Sequence, residues 1–208
     1  MGVIAVLVIL IALAFLINNL RPHSAKTNYG PFIGLGQVLA GETAKLVQDH
    51  GRVAVILPEG YQTAGLAVQE EWQAFGAELA KHPGVHLLGR EIVGLAVLAE
   101  SGLTSSQAED ILKKYDGVDV LVSFCGIPSW NPANPAARPR NLPKIVAVES
   151  SSAQIKDYLA SGIVAAVITP RVPPRATPAR PKTPAEWFDR SFQLYTTANY
   201  RSLLDLPD

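Results

Sequence analysis

The sequence predicts an α/β domain on a single doubly wound sheet of five parallel strands, order 2-1-3-4-5, preceded by one membrane-spanning helix. Three observations carry this. Short apolar runs such as Val53-Ala-Val-Ile-Leu57 have the continuous character of strands buried on both faces. Segments with helical spacing separate those runs, and right-handed crossovers then leave doubly wound arrangements. Val3 to Ile17 is an unbroken stretch of fifteen apolar residues.

Taken in order, residues 2–20 at about 1.5 Å per residue span roughly 28 Å, close to a bilayer's hydrocarbon thickness. No basic start and no small-x-small cleavage site mark the stretch as a signal peptide, so residues 1–20 read as a signal anchor. Arg21 to Pro31 is a polar tether. Gly36 to His50 is a helix with Val38, Leu39, Leu46 and Val47 on one face, Thr43 beside them and Gly51 as its stop. Arg52 to Pro58 is the first strand. Thr63 to Lys81 is a helix carrying Leu66, Trp72, Phe75 and Leu79, broken by His82-Pro83-Gly84. Val85 to Val93 is the second strand, and residues 93–104 are apolar without a period. Ser105 to Tyr115 is a helix, and Val118 to Phe124 and Lys144 to Val148 are strands. Ser152 to Ala160 is a short helix closed by Gly162, and Ile163 to Ile168 is the last strand.

Two proline-rich stretches interrupt this pattern. Ile127 to Pro143 joins two strands with no helix. Pro170 to Pro184 carries Arg171, Arg175, Arg180 and Lys182 without an acid, as an extended tether or a basic strip facing headgroups or an acidic partner. Thr183-Pro-Ala-Glu186 has the form of a capping box. It opens a helix bearing Trp187, Phe188, Phe192 and Tyr195, with Tyr200 beyond. Such an aromatic face must be covered, either by the domain itself or by a partner subunit. The domain limits are therefore residues 32–170 for the α/β lobe and 171–208 for the basic segment and aromatic helix.

Composition excludes several classes. Eighteen basic and eighteen acidic side chains give no net charge, which argues against nucleic-acid binding. One cysteine excludes an intramolecular disulfide and a multi-thiolate metal site. No cofactor or metal is called for. Gly30, Gly34, Gly36 and Gly41 lack the preceding strand of a dinucleotide loop and read as tether and helix packing. Pro83 and Gly84 break any helix aligning His82 with His86 as metal ligands. Cys125 at a strand end has no histidine placed beside it, since His50 ends a helix and His86 begins the second strand, so the thiol reads as inert. In a parallel α/β sheet, ligands meet the carboxyl ends of the strands. Those ends offer Glu59, Tyr61, Gln62 and Thr63, then Ser123, Cys125 and Gly126, then Glu149, Ser150 and Ser151. Glu59, Tyr61, Gln62, Ser123, Cys125, Glu149 and Ser150 are the candidate ligand-binding set. Ser150-Ser-Ser-Ala reads first as a helix cap.

Laid end to end, residues 28–170 resemble the second lobe of a type I periplasmic solute-binding protein of the sugar-binding and repressor-core kind. Asn28-Tyr29 with Gly36-Gln-Val-Leu-Ala-Gly-Glu-Thr-Ala-Lys-Leu-Val resembles the helix opening that lobe. Arg52-Val-Ala-Val-Ile-Leu-Pro-Glu-Gly resembles its first strand, and Gly117-Val-Asp-Val-Leu-Val-Ser-Phe its third. Lys144-Ile-Val-Ala-Val-Glu-Ser and Ile155-Lys-Asp-Tyr-Leu-Ala-Ser-Gly-Ile-Val resemble its close. The resemblance implies a small polar solute bound between two lobes. The departures are specific. Cys125-Gly126 stand where the family has an Asn-Asp pair, Glu71 stands where an arginine precedes a Gly-Phe pair, and Glu149 replaces an aspartate. Only the second lobe is matched, and an open half-cleft buries less of a ligand than a closed one.

Together these features predict a non-enzymatic, membrane-anchored interaction or structural subunit. It would hold the bilayer through residues 2–20 and dock to a membrane protein through Trp187, Phe188, Phe192 and Tyr195. The alternative is a membrane-tethered solute-binding or sensing module for a small polar ligand. Arg21 and Lys26 beside the anchor pull the lobe towards the cytoplasm. The apolar run predicts a single-pass inner-membrane protein, and the resemblance implies that its lobe lies in the periplasm.

Overall fold

The computed structural model describes residues 28–63, 65–129, 142–149, 155–176 and 179–201. The anchor expected over residues 2–20, Ser150 and most of the proline-rich stretch 127–143 lie outside the described residues. Among the described residues no helix is long and apolar enough to cross a membrane.

Chain order is α1 (Gly30–Leu46), β1 (Gly51–Pro58), α2 (Ala67–Leu79), β2 (Val85–Val93), α3 (Leu95–Ser101) and α4 (Ser105–Lys114). There follow β3 (Val120–Ser123), β4 (Lys144–Val148), α5 (Ile155–Ala160), β5 (Val164–Pro170), α6 (Pro184–Ser191) and β6 (Phe192–Thr196). The sheet order is β2-β1-β3-β4-β5-β6. The first five strands are parallel, as expected, and β6 adds an antiparallel sixth, pairing Pro170 with Phe192 and Ala166 with Thr196.

Burial on both faces explains why β1 reads as a solid apolar run. Val53, Val55 and Leu57 enter one core with α1, α2 and α6; Ala54 and Ile56 enter the other with α4 and α5. The helices on the first face approach closely at two glycines. A Cβ on Gly34 would lie 2.2 Å from the Pro184 carbonyl oxygen of α6, and one on Gly36 2.1 Å from the Glu71 carbonyl oxygen of α2. These glycines serve helix packing. Thr43, buried on the same helix, returns its hydroxyl to the Leu39 carbonyl at 2.7 Å.

Several boundaries differ from the sequence reading. The tether was drawn to Pro31, yet α1 begins at Gly30, because Pro31 fits the first helical turn where no N–H is required. It ends at Leu46 through a turn with Gln48 and Asp49 at positive φ, ahead of Gly51. The unassigned stretch 93–104 contains α3, seven residues whose Leu95 and Val97 face outward and blur the period. Thr104 rather than Ser105 caps α4, in a capping box with Gln107. The terminal helix is also shorter than expected. Phe192 is already extended, and Phe192 and Leu194 then pack on one sheet face while Tyr195 packs on the other. Of the two ways to cover the aromatic face, the molecule uses its own core: Phe188, Phe192 and Tyr195 are buried, and Trp187 lies over Gly30. Three of the four side chains expected to dock a partner are therefore core residues, and Trp187 is partly buried.

Candidate functional site

The carboxyl ends of β1, β3 and β4 lie side by side, because β3 sits between the other two. Glu59 follows β1. Its N–H donates to the Val93 carbonyl at 2.8 Å, and its carboxylate accepts the Leu95 N–H at 3.4 Å, at the start of α3. Tyr61 is buried at 3% exposure, although it was expected to face ligand. The Trp72 ring meets it edge-on at 6.0 Å, the Arg90 guanidinium lies 5.6 Å from its centroid, and its hydroxyl accepts from Gln62 Nε2 at 2.7 Å. Gln62 itself is exposed. Trp72, Phe75 and Phe124 continue this aromatic wall, with centroids 5.6 to 6.2 Å apart.

Ser123 is fully buried and committed to its own turn. Its hydroxyl donates to the Gly126 carbonyl at 2.6 Å and accepts the Cys125 N–H at 3.2 Å. Gly126, at φ +90°, permits that turn, and a Cβ there would lie 3.1 Å from Glu149 Oε2. Glu149 reaches from the end of β4 to the Ile127 N–H at 3.1 Å, tying two strand ends together. Burial, and secondarily the Glu71 carboxyl, push the Cys125 thiol up to about 12. A thiol so protonated at neutral pH is no nucleophile.

Glu71 was weighed only as the residue standing at the family's arginine position, and it proves the most unusual group here. It is 7% exposed on the inward stripe of α2 with Phe75 and Leu79, and among the described residues its Oε1 has no hydrogen-bond partner. Desolvation raises its pKa from 4.5 to about 8, so at neutral pH it is a carboxylic acid. The 71–75–79 spacing is the signal for it that the sequence holds.

The structure thus brings Glu59, Tyr61, Gln62, Cys125 and Glu149 to one edge. It withdraws Ser123 and the Tyr61 ring from direct contact with solvent. Ser150 lies outside the described residues. A separate groove of about 490 Å³ opens at the opposite end of the sheet, between His50, Asp119 and Lys144. Lys144 is held there by donating to the Leu46 carbonyl at 2.8 Å. His82 pairs with Asp49 at 2.7 Å, and among the described residues no group of His, Cys, Asp or Glu could hold a metal.

This arrangement, a parallel sheet with helices on both faces and one antiparallel edge strand, is a fold that the chain shares with solved solute-binding proteins and a transcriptional regulator. A solute-binding protein from Burkholderia graminis in complex with D-arabinose superposes with a TM-score of 0.58 at 15% identity. The match covers 85% of this chain and 62% of that one. A sugar-binding protein from Bacillus halodurans gives 0.58 at 17% identity, over 82% and 64%. A LacI-type transcriptional regulator from Bacteroides fragilis gives 0.53 at 12% identity, over 82% and 61%. The chain therefore spans less than two thirds of the length of these proteins. No protein-family model and no curated protein matches the sequence.

Proposed function

We propose that this chain is a solute-recognition lobe, tethered to a membrane by residues 2–20, that meets a small polar ligand at the carboxyl edge of its sheet. The observation that carries the reading is the convergence of Glu59, Gln62 and Glu149 at that edge, on a fold shared with sugar-binding proteins. The aromatic wall of Tyr61, Trp72 and Phe124 stands behind them, as apolar surface stands behind polar groups in small-molecule sites. The Cys125 thiol, protonated far above neutrality, favours binding over catalysis. The reading as a subunit docked through Trp187, Phe188, Phe192 and Tyr195 loses support, because three of these four are core residues.

In this reading a second surface closes over the edge when ligand binds, and the lobe faces the periplasm. The test is thermal unfolding of the full chain in detergent with a panel of pentoses, hexoses and sugar alcohols at millimolar concentration. A midpoint rise of several degrees with one class is expected, diminished in the Gln62→Ala and Glu59→Ala chains. A flat response to the whole panel would sink the assignment.

A further inference from the structure

Seven large apolar side chains are exposed among the described residues, and six sit at one end of the sheet order: Leu66, Leu87, Leu88, Ile92, Leu95 and Val97. Four belong to or border β2, which among the described residues is an edge strand paired with β1 alone. The register puts Leu87 and Ile92 opposite Val53 and Leu57, on the α2 side of the sheet. Leu66, at the start of α2, stands near Gly60. The Glu59 carboxylate beside Gly60 reaches the N–H of Leu95, so Leu66 and Leu95 flank one turn. Half-exposed leucines and isoleucine gathered on one rim form a patch of the kind that marks an interaction surface.

The described chain begins beside this patch. The Tyr29 hydroxyl donates to the Gly65 carbonyl at 2.7 Å, one residue from Leu66. Upstream, residues 18–27 span at most about 35 Å when fully extended, and before them lies the apolar run Val3 to Ile17. A segment that inserts there holds the rim close to the bilayer, where even a weak apolar contact is favoured by high effective concentration. At the same strand, Arg90 lies over the Tyr61 ring and Lys114 pairs with Glu91, so the polar groups there are largely matched among themselves and leave the apolar side chains as the rim's distinguishing feature. The β2 strand is an unpromising edge for a second copy of the chain. It carries a bulge between its pairings with Val53 and Ala54, a distortion that discourages edge-to-edge pairing.

We propose that the apolar rim formed by β2, α3 and Leu66 rests on the lipid surface next to the point where the N-terminal segment enters it. The inference builds on the membrane tether proposed above. It is tested on the full chain reconstituted into phosphatidylcholine–phosphatidylglycerol vesicles, in a Cys125→Ser background. Single cysteines at Ile92→Cys, Leu95→Cys and, on the far edge, Thr197→Cys carry an environment-sensitive fluorophore. Quenching by nitroxide lipids at positions 92 and 95, at least threefold stronger than at 197, is the expected result. Equal quenching at all three positions overturns the proposal while leaving the tether intact. A chain that fails to float with vesicles overturns both. Cross-linking between copies at position 92 without lipid quenching overturns the proposal in favour of a second copy. A photoreactive lipid supplies a check on the unaltered chain, and it should label peptides within 85–101 over those within 192–201. The reverse labelling counts against the proposal.

Discussion

The buried acid Glu71 makes stability depend on pH in a direction opposite to most carboxylates. In the unfolded chain its pKa is ordinary, near 4.5, and in the fold it stands at about 8. Below pH 4.5 both states hold the proton, and Glu71 contributes nothing to the balance. As pH rises above 4.5 the unfolded chain ionises and the folded one does not, so stability falls by about 1.4 kcal/mol per pH unit until the folded pKa is passed. Between pH 5 and pH 8 the loss comes to about 3 kcal/mol. Glu71→Gln keeps the shape, leaves an amide in place of the acid and removes the titration. At 2–4 °C per kcal/mol for a domain of this size, the variant should gain on the order of 10 °C over wild type across that interval. Thermal unfolding of both chains at pH 5, 6.5 and 8 is the assay, and the difference between them cancels every other titrating group. Parallel curves would refute the burial argument. A variant that gains at pH 5 but not at pH 8 would reverse its sign.

Three further outcomes follow from the same geometry. Gly36→Ala sets a methyl 2.1 Å from the Glu71 carbonyl oxygen, so α1 and α2 must part; denaturant unfolding should show a loss of about 2–3 kcal/mol or more. Thr104→Ala removes the side chain that accepts the Gln107 N–H at the start of α4, and the same measurement should register about 1 kcal/mol. Cys125, with its thiol pushed up to about 12, should react with iodoacetamide at pH 8 at least tenfold more slowly in the folded chain than in the urea-unfolded one; equal rates would contradict its burial.

The layered part of the fold was legible because each buried strand announces itself. Val53 to Leu57, Ile145 to Val148 and Val164 to Ile168 have cores on both sides, and no polar residue interrupts them. The sixth strand was hidden by its own aromatics. Trp187, Phe188, Phe192 and Tyr195 satisfy helical spacing, and a five-residue strand offers too little alternation to compete with it. The candidate edge was legible as a place and less so as a set of groups. Glu59, Gln62 and Glu149 stand where a parallel sheet puts them, but sequence cannot reveal that Ser123 spends its hydroxyl on Gly126. Which of Glu70 and Glu71 turns inward, by contrast, is written in the spacing of the apolar residues that follow. That choice depends on the helix phase, which Phe75 and Leu79 set.

The meeting of Gly34 with Pro184 has a consequence for how the molecule is made. The first helix is synthesised early, yet its glycine groove is filled only by α6, about 150 residues later, and the sheet's last edge waits equally long for β6. At roughly 5–20 residues per second, the nascent lobe spends about 8 to 30 seconds with that groove open. The amino terminus therefore emerges well before the lobe it belongs to can close its last contacts.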